Sequence, residues 1–145
     1  MDGGMNSKAV ALPRPTESEL AILRVLWAEG PSTVRAVHAA LAGATGYTTV
    51  LKLMQIMAEK GLVERDEHQR AHVYRATVPA EITQRQLTAD FLERAFGGSA
   101  TRLMMQLVSG HASPEELVEL RRMLAEAEAA AAIPPGGAPG TRRTA

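Results

Sequence analysis

The stretch TTVLKLMQIMAEKGLVERDEHQRAHVYRA, residues 48–76, decides the fold. Val50, Leu53, Met54 and Met57 recur at three- and four-residue spacing, the period of an amphipathic helix, and predict a helix over 48–60. Gly61 suits the left-handed residue that ends such a helix, and Lys60 complements its negative end. The pattern then changes. Leu62-Val63-Glu64-Arg65 opens a strand over 62–66, Glu67 to Ala71 is a polar turn, and His72-Val73-Tyr74-Arg75 belongs to a second strand over 71–76.

Two helices precede this stretch. Thr16 with Glu19 three residues on forms a capping box, and Leu20, Leu23 and Trp27 share one face, with Ile22 and Leu26 beside it. That predicts a helix over 16–29, stopped by Gly30 and Pro31. Ser32 as a cap and Val34, Val37 and Leu41 as an apolar stripe predict a short helix over 32–42, followed by a turn at 43–46. Three helices closed by a hairpin make a winged helix-turn-helix, whose third helix is shaped to enter the major groove of DNA.

Beyond residue 80 the chain reads as helical. Ile82, Leu87, Phe91 and Ala95 predict a helix over 81–96, broken by Gly97-Gly98-Ser99. Leu103, Leu107 and Val108 mark a helix over 100–109. Ser113, Pro114 and Glu116 open another over 114–131 with Leu117, Leu120 and Leu124 on one face. Three thin stripes bury little surface alone, so a second copy is the natural cover. Phe91, Leu103, Leu107, Leu117, Leu120 and Leu124 are the candidate dimerisation residues. Met54, Met57, Met104, Met105 and Met123 read as core filler. Glu115, Glu116, Glu119, Glu126 and Glu128 read as an exposed charged face.

The fold class expected is mainly α with a small β-hairpin: a winged helix-turn-helix domain followed by a helical dimerisation region. The organisation expected is a disordered arm at 1–12, a winged-helix domain at 13–79, a helical dimerisation region at 80–132, and a disordered, Pro/Gly-rich tail at 133–145.

Composition excludes whole classes of chemistry. With no cysteine in 145 residues, disulfides, thiolate metal sites and a cysteine nucleophile are ruled out. No apolar run reaches the roughly 18 residues of a membrane span, and the start lacks the pattern of a signal peptide, so a cytoplasmic protein without membrane insertion is expected. No nucleophile elbow, phosphate-binding glycine loop or HExxH motif occurs. His68 and His72 lie four apart in a turn and strand, a poor metal frame. No enzyme activity, cofactor or metal is expected. The formal net charge is zero: residues 1–79 hold nine Lys/Arg against eight Asp/Glu, and the remainder seven against eight. This neutrality argues for modest affinity per domain and a need for pairing.

TTVLKLMQIMAEKGLVERD (48–66), RAHVYRA (70–76) and LPRPTESELAILRVLW (12–27) together resemble the BlaI/MecI family of bacterial repressors. The resemblance covers roughly residues 12–125 and is one of pattern more than of letters in the helical part. It implies an operator-binding dimer with interlocking C-terminal helices, relieved in its best-known members by a membrane sensor-protease. Where those members carry a basic residue, this chain has Ile56. Where the drug-resistance repressors are cut between Asn and Phe, it has Gln106-Leu107. Copper-responsive relatives carry C-terminal cysteines, which this chain lacks.

The residues carry their own chemistry. Lys52 and Gln55 lie three apart on one helix face; glutamine pairs with adenine, and lysine reaches guanine or phosphate. Thr48 and Thr49 stand at the helix start, where hydroxyls and free amides take a phosphate. Arg65 and Arg70 sit on the hairpin with His68, His72 and Arg75, near where a wing meets a DNA backbone. Tyr74 reads as a packed strand residue. The DNA-binding candidates are therefore Thr48, Thr49, Lys52, Gln55, Arg65 and Arg70, and the expected partners are a double-stranded operator, a second copy and a membrane sensor-protease. Two other classes stay open: a winged helix used for protein–protein contact, which the neutral charge favours, and a small-molecule-responsive regulator whose Met-rich stripes line a pocket.

Overall fold

The structure is a computed structural model that describes residues 13–132. The arm expected at 1–12 and the tail expected at 133–145 lie outside the described residues. The chain forms two compact units that divide between Phe91 and Leu92.

The first unit begins with α1 (Glu17–Glu29), β1 (Ser32–Thr33), α2 (Val34–Ala40) and α3 (Tyr47–Lys60), and continues with β2 (Val63–Asp66), β3 (Val73–Ala76) and the start of α4 (Ala80–Phe96). The Thr16–Glu19 capping box forms as expected: the Thr16 hydroxyl accepts from the Glu19 amide and the Glu19 carboxylate accepts from the Thr16 amide. Gly30 has φ 85° but ψ −169°, so it ends α1 in extended left-handed-side backbone rather than in the αL conformation. Gly61, at φ 84° and ψ 12°, does end α3 in αL.

Within the expected fold class, three details differ from expectation. The sheet is three-stranded, in the order β1-β3-β2, because Ser32–Thr33 pairs antiparallel with β3 (Ser32 opposite Tyr74, Thr33 opposite Val73). That pairing takes Ser32 out of the helix. Thr33 is the true cap of α2, accepting from the Ala36 amide at 3.1 Å, while the Ser32 hydroxyl donates to the Gly30 carbonyl. The strands are also shorter than expected. The Leu62 amide is bound by the Met57 carbonyl at 2.9 Å and still belongs to the end of α3. Across the hairpin, pairing starts only at Asp66 opposite Val73, leaving 67–72 as the loop.

The core joins α1, α2, α3 and the sheet through Ile22, Leu23, Leu26, Val34, Val37, Val50, Met54, Met57, Leu62, Val63 and Tyr74. Its centre on α1 is Ile22, Leu23 and Leu26, whereas Leu20 and Trp27 are only half-buried. Trp27 instead donates its indole N–H to the Val78 carbonyl at 3.0 Å, tying the chain that leaves β3 back to α1. On α4 the buried residue is Thr83, not the expected stripe; Ile82 and Phe91 are about half exposed within the chain.

The second unit holds the end of α4, α5 (Ala100–Gly110) and α6 (Pro114–Ala131). Ser99 caps α5, and Ser113 with Glu116 completes a capping box on α6, with Pro114 in the first turn. Neither α5 nor α6 buries a residue fully. Met105 (61% exposed) and Met123 (50%) are therefore not core filler within one chain, although Met54 and Met57 are.

Candidate nucleic-acid interface

The inward side of α3 is fixed by Val50, Met54 and Met57, so its opposite side must face solvent. Thr48, Thr49, Lys52, Gln55 and Glu59 are exposed there. Lys52 and Gln55, three positions apart, project about 60° from each other about the helix axis. The N-cap is Gly46, which offers no side chain to the first turn, so the leading amides of α3 remain open to an external acceptor. At the other end the Lys60 ammonium donates to the buried Glu19 carboxylate at 2.8 Å. Lys60 is thereby committed to the fold. Burial alone pushes the Glu19 carboxyl up; the Lys60 hydrogen bond and charge and the Thr16 amide outweigh it and hold it below its ordinary value.

Charge pairing on the wing sorts its cations. Arg75 pairs with Glu64 across the strands. Arg65 pairs with Glu67 at 2.5 Å, and the Tyr74 hydroxyl followed by the Glu67 charge raises its pKa. Arg14 binds Asp90. Among the described residues of the first unit, Arg24, Arg35, Lys52, Arg70 and Arg85 have no acidic partner.

A groove of about 540 Å³ runs between α2, α3 and the wing. Gln55, Arg65 and Arg70 line it, so the structure brings three of the six DNA-binding candidates to one place. Thr48, Thr49 and Lys52 stand on the neighbouring outer face of α3 and do not line the groove. Arg35 of α2 and Tyr47 of α3 also line it, and sequence reasoning missed both. The signal was present for Arg35: with Val34 and Val37 turned inward, residue 35 must point out. Tyr47 packs edge-on against His38, ring centroids 5.7 Å apart, which steadies the aromatic at the start of α3. No carboxylate lines this groove. The other side of the wing differs: there Glu64 and Asp66 mix with Arg65 and Arg75.

In the second unit, Met104, Val108, Leu117, Leu120 and Leu124 line an apolar groove of about 560 Å³ between α5 and α6. Of the dimerisation candidates, Leu117, Leu120 and Leu124 meet there. Leu103 is half-buried, while Leu107 (41%) and Phe91 (55%) are exposed and line no part of it. Among the described residues no helix is long and apolar enough to cross a membrane, and no three His, Asp or Glu side chains gather as a metal site.

A three-helix core and a three-stranded wing define a winged helix-turn-helix protein. Residues 15–126 match the penicillinase repressor family, and the chain belongs to that family. Its similarity to the transcriptional regulator BlaI of Mycobacterium tuberculosis, in strains CDC 1551/Oshkosh and ATCC 25618/H37Rv alike, is 34% identity over 131 residues, covering 88% of this chain and 95% of the relative.

Proposed function

We propose that the protein is a transcriptional repressor that binds an inverted-repeat operator as a homodimer. In this reading α3 enters the major groove, with Lys52 and Gln55 at base edges and Thr48 and Thr49 at the backbone, while Arg70 reaches the backbone from the wing. Arg65, held by Glu67 and Tyr74, serves more to brace the wing than to reach outward. The observation that carries the reading is the carboxylate-free groove beside the recognition face. A chain with no net charge has placed unpaired positive charge where a duplex would lie, which the protein–protein alternative does not require.

The apolar face of α5 and α6 is the surface a second copy would cover. Its lining offers only Thr101 and Arg121 as polar groups, a sparse set for fixing the orientation of a small molecule. Relief by a membrane sensor-protease is the regulatory part of the proposal. The Gln106–Leu107 bond lies inside α5, so cutting there requires that helix to open first. A mobility-shift titration of the full chain against the promoter fragment of its own gene and against a random duplex tests the central claim. Tighter binding to the promoter fragment is expected; equal or absent binding to both overturns it.

A further inference from the structure

We propose that Arg35, Tyr47 and Arg70 form a clamp for one DNA backbone strand, a binding site for phosphodiester groups lying beside the base-reading face of α3. The proposal rests on the operator-binding reading and adds two residues from outside the expected contact set. Arg35 comes from α2, Tyr47 from the first turn of α3, and Arg70 from the wing loop, so three separate elements line one groove.

Three observations converge on a polyanion. The groove is lined by Arg35, Arg65, Arg70 and His72 and by no acidic side chain; of its arginines, Arg65 alone is paired, with Glu67 outside the lining. Arg35 and Arg70 carry no acidic partner, whereas Arg65, Arg75, Lys60 and Arg14 are each neutralised by a neighbouring carboxylate. The Tyr47 hydroxyl likewise has no hydrogen-bond partner among the described residues, and the T-shaped contact with His38 fixes its ring. Two arginine forks and a hydroxyl donor lining one groove suit the tetrahedral oxygens of a phosphate. The groove is open to solvent and takes its walls from α2, α3 and the wing, so a strand outside the protein can reach it. Gln55 shares the groove wall, so a strand held here leaves that amide within reach of the adjacent base pairs.

A phosphate contact has a signature that base readout lacks. It weakens binding to every duplex alike and removes about one counterion from the salt dependence. The experiment compares full-length wild-type protein with Arg35→Ala, Tyr47→Phe and Arg24→Ala by fluorescence anisotropy. Probes are a random-sequence duplex and the promoter fragment of the protein's own gene, from low to moderate salt. Arg35→Ala is expected to lose about 5- to 10-fold on both duplexes and to lower the magnitude of the salt slope by about 1. Tyr47→Phe, which keeps the ring and drops the hydroxyl, is expected to lose a smaller factor, equal on both. Arg24→Ala, an exposed unpaired arginine of α1 outside the groove, is expected to bind as wild type. Arg35→Lys, which keeps the charge, is expected to recover the salt slope. Unchanged affinity for Arg35→Ala, or a loss confined to the promoter fragment, overturns the clamp. A loss of equal size in Arg24→Ala also overturns it, because the effect is then one of total charge. Wild-type protein that binds neither duplex overturns the operator-binding reading itself.

Discussion

Glu19 carries two contacts on one carboxylate while sitting at 1% exposure: it closes the cap of α1 at Thr16, and it accepts from Lys60 at the end of α3. Removing it leaves the Thr16 amide without its acceptor and Lys60 without its counter-charge. Glu19→Ala is expected to cost about 2 kcal/mol, read by urea denaturation. Because the folded carboxyl is held below the ordinary value of 4.5, its contribution is fully present above that pH and is lost as pH falls below it toward the depressed folded value. A flatter acid limb in the stability curve of Glu19→Gln checks this. The capping role was legible in the spacing of Thr16 and Glu19. The partnership with Lys60, 41 residues away, was not, since nothing local to either residue specifies a contact that only packing of α1 on α3 creates. For the recognition face, Lys52→Ala and Gln55→Ala are each expected to weaken specific binding by about 1–3 kcal/mol if they read base edges. Competition between specific and random duplexes measures it, and equal loss on both reassigns the residue to the backbone.

The elements were read best where a cap or a glycine marked their ends. Both capping boxes and the Gly61 stop follow from side-chain chemistry within one turn, and the structure places α3 and α6 within a residue of the expected limits. What escaped was β1. Two residues carry no period, and Ser32–Thr33 becomes a strand only because β3 lies alongside. The same non-local pairing hid the true cap of α2. At Gly61 the conformational argument can be isolated, because an added Cβ would meet nothing within 4 Å, so a substitution costs only the left-handed backbone. Gly61→Ala is expected to lose about 1 kcal/mol of stability with the fold intact, measured by thermal melting. The groove beside α3 shows the other limit of sequence reading. Its walls come from α2, α3 and the wing, and Arg35 joins Arg70 there only through the tertiary fold.

At the scale of the molecule, the second unit buries no residue fully on α5 or α6 and leaves Val118 at 66% and Leu124 at 54% exposure. Charged substitution of Leu117, Leu120 or Leu124, the residues lining its apolar groove, is expected to yield monomers by sedimentation velocity and to weaken operator binding severely, since two half-sites gripped together multiply affinity. Wild-type monomer at micromolar concentration that still binds tightly refutes the paired reading. The pairing of cations on the first unit also bears on how such a protein finds its target. A strongly basic repressor adheres to any stretch of chromosome and is diluted across millions of wrong positions. Here two of the three arginines of the wing, Arg65 and Arg75, are cancelled at home, leaving the Arg70 guanidinium bare. On the operator-binding reading, such pairing at home shortens the molecule's residence on unrelated sequence, so less of it is held at wrong positions.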